Sequence, residues 1–115
     1  MPFKVLALAH APDADPKKHR SAIDTGLYRL HTVVVRTQAE ALEVCRDFVE
    51  MKAIDSVLLC PGFTHRDVAE IAEAVGRGVG VSVARGDGPS SRVTKAAREC
   101  AGYAGARARG QLRRS

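Results

Sequence analysis

The sequence predicts an α/β domain: a mainly parallel sheet of four strands with crossover helices, then a C-terminal amphipathic helix and a basic tail. Two observations carry this. Short apolar or β-branched runs recur at 3–9, 30–36, 54–60 and 79–85, each of strand length and apolar enough for a strand covered on both faces. Two of the intervening stretches hold a threonine with an acid three positions later, followed by apolar residues at helical spacing. That is a helix-start signature. Strand alternating with helix defines a parallel sheet.

FKVLALA (3–9) is the first strand. The stretch from His10 to Gly26 has three aspartates, two prolines and a glycine. It is long enough for a crossover connection, with a helical turn or two after Pro16. LHTVVVR (30–36) is the second strand, β-branched as strands prefer. Thr37 and Glu40 form a capping box opening a helix whose buried stripe is Ala41, Cys45, Phe48, Val49 and the stem of Lys52. IDSVLLC (54–60) is the third strand. Thr64 and Asp67 repeat the capping pattern more weakly, and Val68, Ile71, Ala72 and Val75 line one face of the next helix. Gly76 and Gly78 end it, and VGVSVAR (79–85) is the fourth strand. Beyond RGDGPSS, the positions Val93, Ala96, Ala97 and Cys100 mark an amphipathic helix that should pack on the sheet.

A chain of 115 residues suits one domain, here 1–101, with 102–115 as a basic, flexible tail. Aromatic residues make up 4% and tryptophan is absent, which argues against the stacking platforms that hold single-stranded nucleic acid. No apolar run approaches the roughly 20 residues of a membrane span, and the N-terminus lacks a signal-peptide pattern. Three widely spaced cysteines, Cys45, Cys60 and Cys100, fit a reducing cytoplasm better than a disulfide framework or zinc site. The net charge of +5 is unevenly placed. Residues 92–115 hold seven basic side chains and one acid, leaving 11 basic and 12 acidic residues before them. Nucleic-acid association could rest only on that tail, and a solvated end is the simpler reading.

Ligands of open parallel sheets bind beyond the carboxyl ends of the strands. Those ends carry His10, Arg36 and Thr37, then Cys60 to His65, then Arg85 and Asp87. His10 is the first candidate for acid–base catalysis because imidazole titrates in the useful range. His65 and Cys60 are weaker candidates. Cys60 precedes a helix N-terminus, which favours a thiolate, yet it closes an apolar strand, where an inert cysteine is commoner. Pro61 and Gly62 read first as the turn from strand to helix, although Gly62 also permits close approach of a ligand. Thr37, Gly62, Thr64 and Arg85 are candidate ligand contacts, with a pair to Asp87 an equal alternative for Arg85. His19 lies in a solvated basic cluster, and His31 at the amino end of its strand. The histidines lack metal-ligand spacing, no phosphate-loop or nucleophile-elbow motif occurs, and no cofactor is implied.

APDADPKKHR, LLCPGFTH with VAEIAEAVG behind it, and VGVSVAR together resemble a family of small bacterial α/β proteins catalogued as a domain of unknown function. The resemblance spans about residues 3–85 and leaves the chain from Gly86 outside it. Relatives tend to carry a second glycine where Pro61 stands. The resemblance implies the α/β fold and supplies no catalytic residue.

The resulting expectation is a cytoplasmic domain that binds an anionic or carbonyl-bearing small molecule at the carboxyl edge, with catalysis left open. The rivals are a non-catalytic, homo-oligomeric interaction module, whose sheet edges and faces a homodimer would cover, and nucleic-acid association through the tail.

Overall fold

The computed structural model describes residues 1–86 and 88–103. A five-stranded sheet forms from β1 (Phe3–His10), β2 (Arg20–Asp24), β3 (Tyr28–Val35), β4 (Ser56–Leu59) and β5 (Gly80–Val83). Its order is β2-β3-β1-β4-β5. Helices α1 (Gln38–Lys52), α2 (His65–Val75) and α3 (Gly88–Cys100) complete the elements among the described residues.

The sheet has one strand more than the sequence suggested. The 10–26 stretch holds β2, which pairs antiparallel with β3 from Arg20↔Val33 to Asp24↔Arg29. Asp24 makes the reversal: its carboxylate accepts from the Gly26 amide at 2.8 Å and pairs with Arg29 at 3.0 Å. Gly26, at φ 102°, takes a backbone conformation that other residues rarely adopt. The connection is therefore a hairpin placed outside β3, and no crossover helix follows β1.

That substitution decides how the sheet is covered. α1 links β3 to β4, α2 links β4 to β5, and the two helices touch each other. Both lie on one face, where Leu6, Leu8, Val33, Val35, Val57 and Leu59 pack against Ala41, Val44, Cys45, Phe48, Ile71 and Val75. Val44 is a core residue that the predicted stripe omitted, whereas Ala72 is exposed. The opposite face carries Phe3, Val5, Tyr28, Leu30, Leu58 and their alternate-position neighbours. Val5 is buried there, outside the main core, but Phe3, Tyr28 and Leu58 remain 50%, 37% and 40% exposed.

Three further expectations change. α3 buries none of its residues, and Val93 is 73% exposed, so the helix does not pack its apolar stripe on the sheet. His31 is mid-strand and buried, edge-on to the Phe48 ring at 5.1 Å. Finally, the complete capping box belongs to α2: Thr64 Oγ1 accepts from the Asp67 amide and Asp67 Oδ2 from the Thr64 amide, each at 3.0 Å. At α1, Thr37 Oγ1 accepts from the Glu40 amide, but the longer Glu40 side chain reaches past to the Arg36 amide at 2.7 Å. Of the expected tail, residues 104–115 lie outside the described residues.

Candidate functional site

Three parallel strands deliver their C-terminal residues to one edge. The ladder continues a step past the strands: the Cys60 amide donates to the Leu8 carbonyl at 3.1 Å and the Ala84 amide to the Leu59 carbonyl at 2.8 Å. His10, Cys60 and Arg85 consequently emerge side by side. Pro61 and Gly62 then turn the chain, with the Phe63 amide donating to the Cys60 carbonyl at 3.4 Å. The turn swings Phe63 back into the core, 6% exposed, with its ring stacked on His10 at 4.0 Å between centroids and 30° between planes. A Cβ added to Gly62 would stand 3.7 Å from His10 Nδ1, so the Gly62 backbone runs beside the imidazole.

The other wall is α3. Gly86 is the joint: a Cβ there would come 3.5 Å from Pro61 Cβ and 3.7 Å from Ser91 Oγ. From this joint the helix turns Ser90, Ser91, Thr94 and Arg98 towards His10, Gly62 and Arg85, and Tyr103 lines the same cleft. The cleft measures about 700 Å³, within the range of small-molecule sites.

The lining is cationic and rich in hydroxyls. Arg85 and Arg98 supply two guanidiniums, Ser90, Ser91 and Thr94 supply hydroxyls, and no Asp or Glu occurs among the described lining residues. The Cys60 thiol also borders the cleft. Although the residue is partly open to solvent, the surrounding protein desolvates its sulfur and raises its pKa above the ordinary thiol value. That is the opposite of what a nucleophilic thiolate needs.

The structure thus gathers His10, Cys60, Gly62 and Arg85 around one cleft and leaves Thr37, Thr64 and His65 outside its lining, while Asp87 lies outside the described residues. His65 lines a neighbouring apolar groove with Phe63, Val68 and Val83. Thr37 and Thr64 serve as helix caps, and the Thr64 and Asp67 amides are taken up by the capping box. Among the described residues no three His, Cys, Asp or Glu side chains group as metal ligands, and no helix is long and apolar enough to cross a membrane. The residues that sequence reasoning missed are Ser90, Ser91, Thr94 and Arg98. Positions 90, 91, 94 and 98 share one helical face, but nothing in the sequence says that this face, and not the apolar one, turns towards the protein.

A sheet with helices on one face and a cationic cleft at its carboxyl edge defines a small α/β domain. The chain belongs to the family of unknown function DUF6506, whose model matches residues 3–99. The match includes most of α3, so the resemblance does not stop at residue 85: the wall carrying Ser90 to Arg98 is part of the family domain. No curated protein and no solved structure matches the chain.

Proposed function

We propose that the protein binds a small anionic metabolite, carrying a phosphate or carboxylate group, in the cleft between the carboxyl edge and α3. The observation that carries this reading is the joint presence of Arg85 and Arg98 with the Ser90, Ser91 and Thr94 hydroxyls along one cleft. Guanidiniums bind such anions by charge-assisted, paired hydrogen bonds, and hydroxyls satisfy the remaining oxygens. Pro12, Pro61 and Tyr103 give the non-ionic part of the ligand apolar surface. If the ligand is also transformed, His10 is the residue poised for proton transfer, with its ring plane fixed by Phe63. The unpaired cysteines support a reducing, cytoplasmic setting.

A thermal-shift screen of phosphorylated and carboxylated metabolites tests the reading. A true ligand at about 100 times its Kd adds about 2.7 kcal/mol of stability. Arg98→Ala should abolish the shift while leaving the unliganded melting temperature unchanged, because Arg98 is exposed. A ligand whose shift survives both Arg98→Ala and Arg85→Ala would place binding elsewhere. The rival reading, an interaction module, draws on the uncovered sheet face.

A further inference from the structure

We propose that a second copy of this chain covers the open face of the sheet, related by a two-fold axis, and that the outward stripe of α3 closes against the partner's sheet. The face is made by the odd-numbered residues of β1 and β2 and the even-numbered residues of β3, β4 and β5. None of those positions in the five strands holds a charged residue. Strands with one face in water alternate apolar with polar residues, whereas parallel strands apolar on both sides are covered on both. Here α1 and α2 take one face, and the connection that would have placed a helix on the other is the β2 hairpin.

The chain's own α3 does not supply the cover. It turns Ser90, Ser91, Thr94 and Arg98 to the cleft, leaving Val93, Ala96, Ala97 and Cys100 in solvent. Among the described residues, an uncharged sheet face bearing the exposed Phe3, Ile23, Tyr28 and Leu58 and an apolar helical stripe both lie open, each lacking what the other offers. Five strands spaced about 4.8 Å apart and averaging about 20 Å long give a flat footprint on the order of 450 Å². A thirteen-residue helix adds a strip about 20 Å by 10 Å. With side-chain relief the two together approach the roughly 800 Å² per partner that a stable pairing needs. The sheet alone falls short, which is why α3 belongs to the interface. The large side chains Phe3, Tyr28 and Leu58 would be its apolar anchors.

Sedimentation equilibrium of the intact chain tests this. The expected result is a species of twice the 12.3 kDa chain mass. Leu58→Lys and Ser82→Arg each add a charge to the open face, and Val93→Glu adds one to the α3 stripe. Each should weaken the dimer at least tenfold, while Met51→Lys, on the far side of the molecule and 78% exposed, should leave it intact. Circular dichroism confirms folding of each variant; should Leu58→Lys fail to fold, the exposed Ser82 carries the sheet arm. A chain monomeric up to millimolar concentration overturns the proposal. So does a dimer that withstands a folded variant of either the sheet or the stripe, which would point to edge-to-edge strand pairing or another surface.

Discussion

His10 and Phe63 stack with ring centroids 4.0 Å apart, joining the end of β1 to the turn that follows β4. Phe63 is a core residue, so the imidazole at the cleft rests on the hydrophobic interior. Phe63→Ala should therefore destabilise the fold by about 3 kcal/mol, read by urea denaturation, and also free the His10 ring. Phe63→Leu refills most of the volume without the stacking plane. It should retain most of the stability yet bind ligand more weakly than the wild type. Equal ligand affinity in Phe63→Leu would show that ring orientation is irrelevant to the cleft.

The three cysteines should separate cleanly by alkylation of the native protein. Cys45 is fully buried on α1, and burial pushes its pKa up to about 12. Cys60 is accessible, but desolvation raises its pKa. Cys100 lies in exposed α3. Mass spectrometry after a short pulse of iodoacetamide near pH 8, on protein dilute enough to be monomeric, should find Cys100 labelled first, Cys60 more slowly and Cys45 only after unfolding. Cys60 reacting faster than Cys100 would identify an activated thiol and return it to the list of nucleophiles.

His31 gives the fold a pH dependence of definite sign. Its Nε2 is buried without a hydrogen-bond partner. Burial, then the positive charges of Lys52 and Arg29, lower its pKa from the ordinary 6.5. The folded protein accordingly favours the neutral ring, and below about pH 6.5 the unfolded chain takes up the proton first. This contribution to stability is complete above about pH 6.5 and declines as pH falls, levelling once folded His31 also titrates. Replacing it by leucine removes the penalty. Urea titrations should show His31→Leu gaining on the wild type at about pH 5.5 relative to pH 8; a constant difference between the two proteins would contradict the assignment.

What the sequence left hidden follows from where its signals are weak. The parallel strands were legible because apolar runs such as FKVLALA and IDSVLLC are dense enough to need cover on both sides. β2 was not, since RSAID is short and exposed throughout. Its evidence lay in the turn at Asp24-Thr25-Gly26, which a reading centred on apolar runs passes over. The site shows the same division. Residues at strand ends were placed correctly at one edge, because topology alone puts His10, Cys60 and Arg85 there. The α3 wall was missed because an amphipathic helix is ordinarily assumed to turn its apolar side inward. Here the hydroxyl side faces the protein, an inversion set by tertiary placement that no periodicity reveals.

The basic C-terminus supplies the last prediction. Four of the seven basic residues after Ser91 are Arg107, Arg109, Arg113 and Arg114, whereas Arg98 and Tyr103 line the cleft. Two truncations distinguish these groups. A chain ending at Tyr103 should fold with unchanged stability and bind ligand as the full chain does. A chain ending at Gly102 should fold equally well but bind more weakly, by roughly 1–2 kcal/mol, as expected for losing part of one ring's apolar contact. If the arginines instead grip nucleic acid, the full chain will bind it with an affinity that falls steeply with salt, because each neutralised phosphate releases counterions. The Tyr103 truncation would then lose most of that slope. We expect no such slope in the full chain. Loss of folding in either truncation would show that residues beyond the helix contribute to the core or to the dimer, which sedimentation of the same two truncated chains would separate.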